Sequence, residues 1–404
     1  VRTLWRDIGH DTQFVMASYM LWGIGEGLWI FIQPLYVKSL GATPAQTGFV
    51  IGMWGLARLL FILPAGILAD RWRVRRLLLP GWYLGLAGVL ILALAPDWRW
   101  AAPGFLVYGI SAIAIPVTNL YITQAIRHDP TRRPDLPLQV SLTLLWAAYS
   151  AGVVITPAIG GWIGDHVGLR AVFFFSTFWF VLSTLAIRRT HDYPAPERPE
   201  EGHDYRGLLH QPTVLAAFGL LTLGFVAVLT GQTLSAQFLE EVRRFSRTSI
   251  GAFGSISALG TLVCSLALGR LAAWRGFYTA LGLVLLAFVL LLVTGAAPVI
   301  VIATFLLGAH YTTRPLAVSV ISKYVAEHQR GLAYALVDTL AGLATVIGTN
   351  LSGVLYGVNP DWPFMAGMAG IAAAAVLGGL WVYGPRRRNV APAAAYTDGV
   401  QLGD

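Results

Sequence analysis

Twelve stretches of this chain are each long and apolar enough to cross a lipid bilayer, and few folds other than a membrane bundle can absorb so many. They cover roughly 12–38, 44–69, 76–95, 101–126, 138–164, 168–187, 212–239, 249–272, 278–296, 298–325, 332–357 and 363–384. A hydrocarbon core of about 30 Å takes roughly 20 apolar residues of helix. Membrane strands are shorter and alternate polar with apolar residues, which these runs do not. Charged residues make up only 12% of the 404-residue chain, where soluble domains carry roughly 25%. The predicted class is therefore an all-α integral membrane protein with 12 transmembrane helices. The first run lacks a cleavage site and is too long for a signal segment, so it is expected to stay as the first helix.

A net charge of +8 would point to nucleic acid in a soluble protein. In a membrane protein the position of each base matters more, because Lys and Arg collect in cytoplasmic loops. With the N-terminus inside, 20 of the 28 basic residues fall on the cytoplasmic side. Only Lys38, Arg99, Arg170, Arg243, Arg244 and Arg247 fall outside, and Arg58 and Arg314 lie within helices. A multi-pass protein of the cytoplasmic membrane is expected, with both termini cytoplasmic, lipid as its surroundings and no nucleic-acid partner. The single cysteine, Cys264, sits in an apolar run. It can form no internal disulfide and no cysteine metal cluster, and reads as a small core residue.

The longest break, RRTHDYPAPERPEEGHDYRGLLHQ at 188–211, is rich in charge and proline and reads as a cytoplasmic linker. It divides the chain into a bundle at 1–187, a second bundle at 212–385 and a tail at 386–404 that is expected to be disordered and cytoplasmic. The halves also echo each other. GISAIAIP from Gly109 to Pro116 matches GAHYTTRP from Gly308 to Pro315, and GILADRWR from Gly66 matches GRLAAWRG from Gly269. The offsets, 199 and 203 residues, nearly agree. Repeated halves joined by a linker are a transporter signature, with the substrate site near the midplane between them.

GILADRWRVRR, Gly66 to Arg76, is where the sequence most clearly resembles the major facilitator superfamily. That family's loop between helices 2 and 3 runs Gly-x-Leu-x-Asp-Arg-x-Gly-Arg-Arg. Gly66, Leu68, Asp70, Arg71 and Arg75 fit, while Arg73 replaces a glycine and Val74 an arginine. A carboxylate at a helix C-terminus is disfavoured by the dipole and needs a basic partner or another helix's N-terminus. The resemblance implies a latch in which Asp70 faces the start of helix 11 near Gly331 and holds the cytoplasmic side shut. The plainer alternative is a basic loop that only sets topology. A second match, AGVVITPAIGGWIGD in helix 5, resembles the family's antiporter motif through Gly152, Pro157, Gly160 and Gly161, with Thr156 in place of a glycine. Small residues permit close helix approach and proline kinks the helix, so generic tight packing competes with the export by proton exchange that the resemblance implies.

Isolated charges within the membrane are functional candidates, since each costs about 2.5–3.5 kcal/mol on insertion scales. Glu26 lies 12 residues from the outer edge of helix 1 and Arg58 lies 14 from that of helix 2, at nearly matching depth. Arg314 in helix 10 and Asp338 in helix 11 lie where they could meet. A lone carboxylate in hydrocarbon is driven to take up a proton. A site whose neighbours change as the protein rocks can thus link proton and substrate binding. The resemblance carries that role to Glu26, with Arg58 and Asp338 as its coupling partners, against the alternative of a static Glu26–Arg58 bridge. Gly23, Gly25 and Gly27 follow no strand, so a nucleotide loop is not expected, and close packing or a local bend suffices. Arg314, whose repeat counterpart is Ile115, and His310 one turn before it either hold an anionic group with Asp338, relay protons, or pack.

The resemblance implies that helices 1, 4, 7 and 10 face the centre. The expected substrate-binding residues there are Trp22, Trp29, Gln33, Asn119, Tyr121, Gln232, Gln237, His310, Tyr311 and Arg314. Rings and amides suit an amphipathic ligand without selecting one. The leading expectation is a monomeric secondary transporter exporting a small amphipathic molecule in exchange for protons by alternating access. Alternatives are the same fold carrying a sugar, an organic anion or a glycolipid, and a non-transporting scaffold or sensor. No nucleophile–base pair, metal cluster or cofactor motif is legible, so no cofactor, no metal and no enzymatic activity are expected.

Overall fold

The loop residues decide where each helix begins. Thr43 and Gln46 form a reciprocal capping box before Pro44: Gln46 N donates to Thr43 Oγ1 at 3.3 Å and Thr43 N to Gln46 Oε1 at 2.9 Å. Asp97 and Ser246 cap two further helices by accepting from Arg99 N and Ser249 N. Gly168, with φ of 121°, makes the turn between two helices that a residue with a Cβ would strain.

In this computed structural model residues 7–69, 73–131, 138–193, 211–325 and 330–383 are described. Asp70 and Arg71, linker positions 194–210 and the tail lie outside them. The described helices are α1 (His10–Gly27), α2 (Gln33–Ser39), α3 (Pro44–Ala69), α4 (Arg75–Leu94), α5 (Trp98–Ile110), α6 (Ala114–His128), α7 (Leu138–His166) and α8 (Leu169–Ile187). The second half adds α9 (Pro212–Gln232), α10 (Ser235–Glu241), α11 (Arg247–Leu268), α12 (Ala273–Val293), α13 (Ala297–Leu307), α14 (Ala309–Ile321), α15 (Arg330–Val358) and α16 (Trp362–Tyr383).

Among the described residues, eleven helical units are long and apolar enough to cross a membrane. They combine α5 with α6, α9 with α10, and α13 with α14. The first crossing, α1 with α2, is not among them: residues 28–32 form turns between its two pieces, and α1 opens on the polar run His10–Gln13. The continuous run expected at 12–38 is therefore a broken helix, and so are the fourth, seventh and tenth crossings. Pro34, with no N–H to offer a preceding turn, starts α2, and Gly308 separates α13 from α14.

The two halves pack alike. Crossing 1 lies against crossings 5 and 6, and crossing 7 against crossings 11 and 12. Across the halves, α3 runs along α15 and α7 along α11. The repeated glycines hold equivalent places. A Cβ on Gly109 would meet Ala57 and Trp54 of α3, and one on Gly308 would meet Ser257 and Thr261 of α11. Cys264 is buried, as expected.

The two ends of the bundle differ. We call the end carrying Arg188–Tyr193 the linker face. On the opposite face, Lys38 Nζ reaches Glu241 Oε1 at 2.7 Å and Glu240 Oε2 at 3.0 Å across the halves. Asp165 accepts from Thr248 N at 2.8 Å and Thr248 Oγ1 at 2.6 Å. Gly48 and Gly353 press α3 onto α15, where a Cβ would come within 2.2 Å of Thr349 O or 2.5 Å of Pro44 O. Towards the linker face the same two helices part: around Gly66 and Gly331 there is open space.

Candidate functional site

A central cavity of about 1110 Å³ occupies the space left by that parting. Its walls include Gly66, Gly331 and Val318 at the linker end, and Tyr149, Tyr311 and Arg314 at mid-depth. A smaller cavity of about 470 Å³ shares those three mid-depth walls and reaches Trp22, Glu26 and Arg58.

Glu26 is the penultimate residue of α1, immediately before the break, and is 6% exposed. Its backbone oxygen accepts from both Trp29 N and Ile30 N, tightening the turn where the helix ends. Its carboxylate Oε2 accepts from Tyr149 Oη at 2.7 Å. The glycines around it explain how this pair forms. A Cβ on Gly23 would lie 2.4 Å from Tyr149 O, and one on Gly27 would lie 2.1 Å from Thr156 Oγ1. Reciprocally, a Cβ on Gly152 would meet Ile24 N at 2.5 Å and one on Gly160 would meet Leu28 O at 1.8 Å. GIGEG and the helix 5 motif are thus two sides of one close contact. It sets Tyr149, one turn before Gly152, against Glu26. On its other side the motif touches the second half, with Gly161 against Gly251 and Pro157 O beside Gly251.

Arg58 stands on α3 and lines the smaller cavity. Its Nε and Nη2 are buried with no hydrogen-bond partner among the described residues. No ion pair joins it to Glu26 in the described residues, so the static bridge is not the arrangement of this structure. In the second half Arg314 Nε donates to Asp338 Oδ1, and the two form a salt bridge in the cavity wall. The His310 ring lies against that of Tyr311 with centroids 3.8 Å apart and planes tilted by 48°, and its Nδ1 has no partner among the described residues.

The expected lining divides. Trp22, Gln33, Gln232, His310, Tyr311 and Arg314 border the smaller cavity, and Asn119 borders the larger one. Trp29, Tyr121 and Gln237 do not line either. Trp29 is fully buried against Phe105, Tyr108 and Phe173, because the turn after Glu26 rotates it away from the centre. Tyr121 is also fully buried and donates to Asp11 Oδ2 at 2.8 Å near the linker face. Gln237 donates to Glu241 on the opposite face. Of the latch, Gly66 borders the cavity and Arg75 Nη2 donates to Arg188 O at 3.0 Å. Tyr149 and Tyr108, which also border the smaller cavity, were missed by sequence reasoning. The signal for Tyr149 was its place one helical turn before Gly152.

The sequence model of the Major Facilitator Superfamily matches residues 14–312 and 217–398, and the chain belongs to that family. It is a multi-pass membrane transporter, not an enzyme. The chain is 24% identical over 386 residues to "Multidrug resistance protein 2" of Bacillus subtilis (strain 168), covering 91% of this chain and 94% of the relative. It is 21% identical over 354 residues to "Multidrug resistance protein 1" of the same organism, covering 84% and 88%. Among solved structures, a point mutant of the nucleoside transporter NupG superposes with a TM-score of 0.76 at 14% identity, covering 93% of this chain and 99% of that one.

Proposed function

We propose that this protein exports a small amphipathic molecule across the cytoplasmic membrane in exchange for protons, by alternating access. The observation that carries this reading is Glu26: a buried carboxylate on the cavity wall whose hydrogen-bond partner is a neutral phenol rather than a cation. A carboxylate held by a phenol can gain or lose a proton as the water around it changes, whereas one locked to a guanidinium stays ionised. In this reading the linker face is cytoplasmic, as the distribution of Lys and Arg predicts, so the cavity faces inward and the opposite face is the closed gate. Closure of the linker face would bring the starts of crossings 3 and 11 together, with Asp70 and Arg71 as the latch. The names of the Bacillus relatives favour drug-like cargo.

The test uses the purified protein in liposomes with an imposed pH gradient and a panel of lipophilic cations and neutral dyes. Wild type should accumulate a substrate against its gradient at the expense of the proton gradient. Glu26→Gln should retain exchange of substrate down its gradient and lose uphill transport. Full uphill transport by Glu26→Gln, with unchanged pH dependence, would show the acid to be structural. A second reading, a carrier of anionic cargo, draws on Arg58, whose Nε and Nη2 have no partner among the described residues beside the cavity. Protection against heat by organic anions but not by cations would favour it.

A further inference from the structure

Away from the cavity, at the linker face, the fold gathers three potential metal ligands from distant parts of the sequence. His10 and Asp11 open α1, and His191 lies just after α8. His191 Nδ1 stands 2.8 Å and His10 Nδ1 3.5 Å from Asp11 Oδ1. The three ligand atoms lie within 4.8 Å of one another. We infer that His10, Asp11 and His191 form a binding site for a late first-row divalent cation of the zinc type, which staples the beginning of the linker to crossing 1.

The surroundings resemble a built site more than a chance meeting of surface groups. Asp11 has no exposed side-chain surface. Its Oδ2 accepts from Tyr121 Oη at 2.8 Å, Tyr193 Oη at 2.5 Å and His191 N at 3.2 Å. Those three donors fix the plane of the carboxylate and leave Oδ1 for the two imidazoles, as outer partners do for a metal-ligating carboxylate. The main chain is pinned as well: His10 N donates to Thr131 Oγ1 at 2.8 Å and Asp11 N to Asp129 Oδ2 at 3.1 Å. The imidazoles, by contrast, are 47% and 71% exposed, so water can complete the coordination and an ion can enter.

The donor set selects the class of ion. Two nitrogens and one carboxylate suit zinc, nickel or copper, whereas magnesium and calcium call for oxygen ligands. At metal–ligand bonds of about 2.0–2.1 Å, tetrahedral donor atoms sit roughly 3.3 Å apart. Binding would therefore open the His191–Asp11 contact slightly and draw the two exposed rings together. Nothing in this arrangement depends on what the cavity carries.

The test takes the full chain, purified without a polyhistidine tag and stripped with a chelator. Cobalt(II) serves as the spectroscopic probe, followed by zinc in a calorimeter. One cobalt per chain should bind with the visible absorption of a four- or five-coordinate ion, and zinc should displace it. His191→Ala should abolish the band, and so should His191→Gln, whose amide can still donate to Asp11 Oδ1 but ligates zinc poorly, while the metal-free His191→Gln protein still unfolds cooperatively. Tyr193→Phe should weaken zinc about 10–100-fold. The proposal fails if wild type gives neither band nor heat, if His10→Ala and His191→Ala bind as wild type does, or if millimolar magnesium competes as well as zinc.

Discussion

Glu26 and Asp338 are both carboxylates in the walls of one cavity system, one in each half of the molecule, and they are held in different ways. Asp338 is ion-paired with Arg314, which the preceding helix aims at it. Glu26 accepts from a phenol, while the arginine at its depth, Arg58, forms no bond with it in the described residues. The difference is the reason the proposed coupling role falls on Glu26 rather than on Asp338. An ion pair inside a protein is costly to break from one side, because the survivor is left as an uncompensated charge. A carboxylate on a neutral donor can be protonated with far less rearrangement. One half therefore carries an ion-paired joint between α14 and α15, and the other carries the acid that we propose gains and loses the proton.

The largest effect should follow from removing one side of the joint. Arg314→Met leaves Asp338 alone and should lower stability in detergent by about 2 kcal/mol; the value lies below that for a fully buried pair because both side chains are partly exposed. Adding Asp338→Asn should recover most of the loss. An unchanged unfolding temperature in Arg314→Met would remove the contrast altogether. Next in size, Tyr149→Phe removes one of the donors that face Glu26, beside Tyr108 and Trp22, and should cost about 1 kcal/mol. Combining it with Glu26→Gln in a double-mutant cycle would reveal a coupling energy between the two, and strict additivity would mean the 2.7 Å bond contributes nothing. The smallest effect is expected of Glu26→Gln alone, within about 0.5 kcal/mol, because the amide oxygen can still accept from Tyr149. A loss several times larger would make Glu26 as structural as Asp338.

Much of this arrangement could be read in advance where it depends on position along the chain. Counting residues along the helices put Arg314 within reach of Asp338, and that pair does meet. The glycine spacing in GIGEG and in the helix 5 motif announced a tight contact. What it could not reveal was that the two motifs are each other's partners, or that Tyr149 would thereby reach Glu26. Trp29, Tyr121 and Gln237 show the same limit from the other direction. Each has the right chemistry and depth-compatible spacing for the cavity, and each is turned elsewhere by a helix break or by rotation about the helix axis.

By itself the sequence determined the number of membrane crossings, their duplication and the few residues whose charge must be accommodated. These are properties of composition and spacing, to which a bilayer of given thickness responds directly. Tertiary structure alone decided where α1 breaks, which face is sealed by Lys38 with Glu240 and Glu241, and that His191 returns to Asp11 across the length of the first half. Those outcomes depend on the rotation and splay of packed helices. Contacts between residues far apart in the chain fix both, and no local pattern records them.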